Sequence, residues 1–128
     1  MNEFVLDASA MLAYIQEERG AENLTKEILD HAVASTVNLA EVQSKLVKKG
    51  RNPDEAWEEI LSLVNAEEPF TIDHARIAGD LITTTEKYGL SLGDRACLAL
   101  AIALSAPVYT TEQLWNNLKV GVPIRVIR

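Results

Sequence analysis

The feature that most constrains this chain is residues 3–13, EFVLDASAMLA. Phe4, Val5 and Leu6 form a short continuous apolar run, which suits a strand buried on both faces. Asp7 and the small residues behind it predict a strand feeding directly into a helix. In an open parallel sheet the carboxyl ends of central strands border the crevice where ligands bind, so this pattern places Asp7 at that crevice. Three later acids, Glu41, Asp94 and Glu112, are expected to return to the same edge.

The rest of the chain alternates between helix and strand signals. Residues 8–18 hold good helix formers, with Met11, Leu12 and Ile15 on one face and Gly20 closing the segment. Leu24, Ile28 and Leu29 recur at helical spacing towards His31, and a short strand follows over 32–36. Thr36 or Asn38 can cap a third helix whose core face is Leu39, Val42, Leu46 and Val47, with Gly50 stopping it. Asn52 and Pro53 read as a cap with proline at the first helical position. Ala56, Trp57, Ile60, Leu61 and Val64 carry that fourth helix, with Trp57 in the core or on a partner surface. A third strand is expected over 69–72, then a helix capped by Asp73 and ending at Gly89. Ser91 opens SLGDRACLALAIAL, apolar nearly all round after Arg95, which marks a helix buried within the domain. A fourth strand over 108–110, a short helix over 112–118 and an edge strand over 124–127 complete the order. This alternation predicts an α/β fold: a three-layer α/β/α sandwich around a mainly parallel central sheet, with right-handed crossovers.

At 128 residues, one domain is the simplest organisation and can bury roughly two thirds of its unfolded surface. No apolar span approaches the ~20 residues of a membrane helix, and no basic region precedes the first apolar residues, so neither membrane insertion nor export is expected. The single cysteine, Cys97, lies in an apolar run and reads as a small core residue in a reducing cytoplasm. His31 and His74 have no Cys or His neighbour at zinc-ligand spacing and read as surface or capping residues. Lys45, Lys48, Lys49 and Arg51 gather where the third helix ends. There they suit the negative end of its dipole, or a backbone phosphate. The net charge of -7 argues against a protein that holds nucleic acid by a broad basic surface. It leaves open an enzyme whose carboxylates gather divalent cations, because those cations reverse the local sign where phosphate approaches.

Each acid alone has a local explanation. Asp7 can be an N-cap, Asn38 with Glu41 and Ser91 with Asp94 fit the spacing of a capping box, and Glu112 can favour the positive end of its helix. Together they are harder to explain that way, since like charges brought close are costly unless a cation or proton intervenes. Hard oxygen ligands without Cys or His select Mg²⁺ or Mn²⁺ over zinc.

VLDASA, NLAEV, SLGDRACLALA and YTTEQLW, in this order and over essentially the whole chain, resemble the four motifs of PIN-domain ribonucleases, particularly the VapC-type toxins of toxin-antitoxin pairs. The resemblance implies a single PIN-like nuclease domain over 1–128, in which Asp7, Glu41 and Asp94 match the three main acids and Ser9 the small hydroxyl after the first. Thr110 matches the threonine ending the fourth strand. Glu112 stands where the family most often has aspartate, and its longer side chain can reach a metal directly or through water. The implied activity is Mg²⁺- or Mn²⁺-dependent hydrolysis of RNA, with no protein nucleophile and 5′-phosphate and 3′-hydroxyl products. Arg95 could meet a substrate phosphate or pair with Asp94. Implied partners are a small antitoxin whose peptide masks the acids and a second copy of the chain in a homodimer. Two alternatives stand beside this: a PIN-like fold used only for binding, and a phosphotransferase or phosphatase with Asp7 as covalent nucleophile.

Overall fold

The computed structural model describes residues 3–128. Five strands, β1 (Phe4–Leu6), β2 (Ala32–Ser35), β3 (Ala66–Glu68), β4 (Val108–Thr110) and β5 (Ile124–Val126), pair in parallel in the order β3-β2-β1-β4-β5. The chain therefore starts in the centre of the sheet, builds outwards on one side and returns to build the other. The reversal falls between β1 and β4, which makes their carboxyl ends a topological switch point.

Among the described residues seven helices flank the sheet: α1 (Ala8–Ile15), α2 (Lys26–Asp30), α3 (Thr36–Lys48), α4 (Pro53–Leu63), α5 (Ile72–Asp80), α6 (Ile82–Thr85) and α7 (Leu92–Leu104). Successive side chains of a strand point to opposite faces, and the two cores follow that alternation. Leu6, Ala34 and Tyr109 pack with Met11 of α1, Leu39, Val42 and Leu46 of α3, and Ile60 of α4. Val5, Val33 and Val108 pack on the other face with Cys97, Leu98, Leu100 and Ala101 of α7 and with Trp115. The three-layer α/β/α sandwich expected from the alternation is the observed fold, and its sheet is wholly parallel. Among the described residues no helix is long and apolar enough to cross a membrane.

Several elements differ from their sequence signals. The third strand is Ala66–Glu68 rather than 69–72; Pro69, which lacks an N–H, follows it, and Thr71 instead of Asp73 caps α5, accepting from the His74 N–H at 3.1 Å. The helix expected to reach Gly89 breaks into α5, α6 and a 3₁₀ turn over Glu86–Tyr88, where Thr85 bonds back to the Leu81 carbonyl in a run of β-branched threonines. Ser35 caps α3, not Thr36 or Asn38. The first helix stops at Ile15, with Glu17 in the left-handed region at φ 53°, and the second is a 3₁₀ turn at Ala21–Asn23 followed by the short α2. Residues 112–118 yield only a 3₁₀ turn, Gln113–Asn117. His74 is buried against Phe70 instead of lying on the surface, and Trp57 lies on the surface of α4.

Candidate active site

β1 delivers Asp7 to the switch point. The Asp7 N–H donates to the Tyr109 carbonyl at 3.1 Å, which carries the β1–β4 ladder one residue past Leu6. Asp7 follows Val5 in the alternation of β1, as Thr110 follows Val108 in β4, so both turn towards the α7 face. Asp7 also caps α1: its Oδ1 accepts from the Ala10 N–H at 2.8 Å.

Two hydroxyls complete its surroundings. Ser9 Oγ lies 2.8 and 2.9 Å from the two carboxylate oxygens, and Thr110 Oγ1 donates to Oδ2 at 2.6 Å. Each hydroxyl oxygen accepts a backbone N–H, Ser9 from Thr111 and Thr110 from Glu112, both at 3.0 Å, which leaves its proton to face Asp7. A carboxylate offers about four acceptor sites, and these donors supply one hydrogen each, so a site remains for a cation. Asp7 is 2% exposed, and burial pushes its pKa from 3.8 up to about 6. The bonds from Thr110, Ala10 and Ser9 oppose that rise, while the negative charge of Asp94 adds to it.

Asp94 sits in the first turn of α7 in a true capping box: Oδ2 accepts from the Ser91 N–H at 2.9 Å, and Ser91 Oγ accepts from the Asp94 N–H at 3.2 Å. The local explanation of Asp94 is thus correct as far as it goes, yet its charge also reaches Asp7. Glu41, in the second turn of α3, is no part of a capping box. Its Oε1 accepts from Asn38 Nδ2 at 2.7 Å, and the same nitrogen donates to the Gly93 carbonyl at 3.0 Å. The Glu41 carboxylate lies across Gly93, where a Cβ would overlap it. Cys97 lies buried in α7, one turn beyond Gly93. Its thiol is pushed well above its ordinary pKa, first by burial and then by the charges of Asp7, Asp94 and Glu41. The charges of all three acids therefore bear on one buried group.

Glu112 is different. Its side chain is exposed and makes no capping bond, so the helix-end explanation is not realised, while its backbone N–H reaches Thr110 beside Asp7. Arg95 turns away from Asp94: Nη1 donates to the Ala78 carbonyl at 2.8 Å and ties α7 to α5, and among the described residues it forms no ion pair. Of the basic cluster, Arg51 pairs with Glu59 and Lys49 donates to Gln16. Sequence reasoning paired Asn38 with Glu41 only as a capping box, missed the side-chain bond between them, and gave Gly93 no role. The available signals were the i, i+3 spacing of Asn38 and Glu41 and an isolated glycine inside a helical pattern.

Among the described residues no three Asp, Glu, His or Cys side chains are close enough to form a ready-made cation cage. The donors nevertheless suit Mg²⁺ or Mn²⁺: they are all oxygens, one acceptor site of Asp7 remains free, and Mg²⁺ usually keeps several waters while using one or two carboxylates.

A wholly parallel α/β/α sandwich with three acids at its switch point defines a class of proteins that bind ligands at the carboxyl edge of the sheet. The family model that matches is the PIN domain, over residues 4–118, and the chain belongs to that family. No curated protein matches it. Among solved structures it is similar to VapBC2 from Rickettsia felis bound to a promoter DNA fragment, with 20% identity, TM-score 0.74 and 98% of each chain covered. A toxin-antitoxin complex from Klebsiella pneumoniae has 16% identity, TM-score 0.75 and 98% of each chain covered. VapC20 from Mycobacterium tuberculosis, described as a toxin cleaving the sarcin-ricin loop, has 14% identity and TM-score 0.71, with 94% of this chain and 100% of that one covered.

Proposed function

We propose that this PIN-domain protein is a Mg²⁺- or Mn²⁺-dependent endoribonuclease, the cytoplasmic toxin of a toxin-antitoxin pair. The observation that carries the proposal is the Asp7 carboxylate: buried at the switch point, wrapped by Ser9 and Thr110, raised to about 6, and within reach of the Asp94 charge. Burying a carboxylate beside a second acid is costly, and a divalent cation offsets that cost.

Asp7, Asp94 and Glu41 would hold the ion, with Glu112 as an outer participant. When bound, the ion activates water and neutralises phosphate charge. Ser9 and Thr110 keep Asp7 oriented and favour its ionised form, because their protons face it. Asp94 is fixed by its capping box at the start of α7, and Glu41 is fixed against Gly93. No side-chain nucleophile is needed.

The partners follow from surface chemistry and from the neighbours' descriptions. A groove of about 770 Å³ between α1 and α4 is lined by Tyr14, Ile15 and Leu24 together with Glu17, Glu22 and Glu59, which suits an amphipathic, basic antitoxin segment. Ile72, Leu92 and Leu114, each more than half exposed, provide apolar surface for a homodimer. The R. felis and K. pneumoniae neighbours are toxin-antitoxin complexes and the M. tuberculosis neighbour is a toxin cleaving the sarcin-ricin loop, which supports the antitoxin partner and a nuclease activity.

The test is cleavage of structured and unstructured RNA by the purified chain with Mg²⁺ or Mn²⁺. Activity should stop with EDTA and in Asp7→Asn. Cleavage that survives both treatments would overturn the metal mechanism.

A further inference from the structure

We infer that Asn38 and Gly93 form a positioning clamp for Glu41, with Asn38 holding the carboxylate from α3 and Gly93 supplying the only kind of surface on α7 against which it fits; this rests on the metal-dependent nuclease proposed above. Asn38 is 1% exposed. Its Nδ2 bridges Glu41 Oε1 and the Gly93 carbonyl, both of which can only accept, so the amide has one workable orientation. That orientation leaves Oδ1 buried without a donor among the described residues. An unpartnered buried oxygen is a standing cost that a leucine of similar shape would avoid, and packing alone therefore gives no reason for asparagine here.

Gly93 makes the matching concession. Gly93 lies in the first turn of α7 at a φ that does not demand glycine, so the backbone gives no reason for glycine over alanine there. What demands it is Glu41, whose carboxylate occupies the place of the missing Cβ. The two residues come from helices whose sequence positions lie 55 apart, and each gives up stability in favour of one carboxylate. The clamp also ties Glu41 to the turn that carries Asp94, so it fixes the spacing of the second and third acids. Asn38 and Gly93 touch no reacting atom in this scheme; they act through Glu41.

The test uses Asn38→Leu and Gly93→Ala, each alone and combined with Glu41→Gln. Leucine removes the orphan oxygen, Gly93 keeps its place in the α7 ladder, and the half-exposed Glu41 can turn to water. Alanine can adopt the φ of Gly93, restricts the unfolded chain and displaces only the flexible end of Glu41. Metal-free thermal unfolding should therefore show both variants as stable as wild type or more so. In contrast, the Mn²⁺ dissociation constant, measured by the free-ion EPR signal, should rise about 10- to 100-fold, the scale of lost outer-shell partners. RNA cleavage should fall in parallel. In the Glu41→Gln background each change should add less than about a twofold effect, as expected when two substitutions remove the same interaction. Mn²⁺ affinity within twofold of wild type in both variants overturns the clamp, as does an equal loss whether or not Glu41 is present. If Asn38→Leu does not fold, Gly93→Ala decides on the same criteria. Wild-type protein that neither binds Mn²⁺ nor cleaves RNA refutes the nuclease itself, and the clamp with it.

Discussion

Asp7 and Asp94 stand at the amino ends of α1 and α7 and both accept a backbone N–H there, yet their surroundings differ. Asp94 is half-exposed, and its two capping bonds are made with Ser91 alone. Asp7 is buried and takes its shortest bond from Thr110, which lies 103 positions away. Helix capping explains the first carboxylate almost completely. It explains only one of the bonds to the second, because a cap needs neither a hydroxyl from another strand nor removal from water. The remaining features of Asp7 have no explanation in capping.

Asp7→Asn is the sharpest way to break this contrast. If Asp7 is the central cation ligand, RNA cleavage should drop by on the order of a hundred- to a thousandfold, the loss seen when a main transition-state-stabilising group is removed. Retained cleavage would reduce Asp7 to a buried cap.

The same substitution isolates a pH dependence. The folded pKa of Asp7, about 6, lies above its ordinary 3.8, so protonation favours the folded state. In metal-free protein this contribution is fully present below about pH 3.8 and is lost as pH rises through about 6. The rise corresponds to about 3 kcal/mol at full development. Urea unfolding in EDTA should show wild type losing most of that amount relative to Asp7→Asn between pH 4 and 7.5. Mn²⁺ should restore it at the upper end. A pH-independent difference would mean that burial does not perturb this carboxylate.

The contrast also explains what could be read from the sequence. The Ser91 and Asp94 box, the Asn52 and Pro53 cap, the strand ending at Asp7 and the strand 108–110 are local patterns, and each formed where its residues predicted. β3 has no such pattern. Ala66, Glu67 and Glu68 form an edge strand because Asn65 donates to the Ala32 carbonyl and the register with β2 continues from there. The Asn38–Gly93 contact was equally hidden, since it depends on how α3 and α7 meet at the sheet edge. Motif order led to three of the acids because strands of a parallel sheet return their carboxyl ends to one side. It could not place the side chain of Glu112, whose segment forms a short 3₁₀ turn in place of a regular helix.

Asp94→Asn sharpens the comparison at intermediate size. Loss of the charged cap should cost about 0.3 to 1 kcal/mol. Relief of repulsion with Asp7 acts in the opposite direction, so metal-free stability should change little. Added metal separates the two roles: at a hundredfold excess over its dissociation constant wild type should gain about 2.7 kcal/mol, and the variant much less. Equal gains measured by urea unfolding with Mn²⁺ would leave Asp94 as a cap alone.

The smallest effects are expected at Glu112, which differs from both aspartates in having neither a cap nor a buried partner. Its side chain is exposed and makes no capping bond, while the part of the residue that serves the site is its backbone N–H, which holds Thr110. Substitution keeps that N–H, so Glu112→Ala should leave stability within about 0.5 kcal/mol of wild type, as for surface positions generally. Its effect on cleavage should be well below that of Asp7→Asn, and should appear as a higher Mn²⁺ requirement if the side chain reaches the ion through water. Glu112→Asp restores the acid more common in the family at this position and should match or exceed wild type. Metal titrations of cleavage in the three forms decide the matter: identical curves would remove the Glu112 side chain from the site, and leave its backbone as the residue's whole contribution.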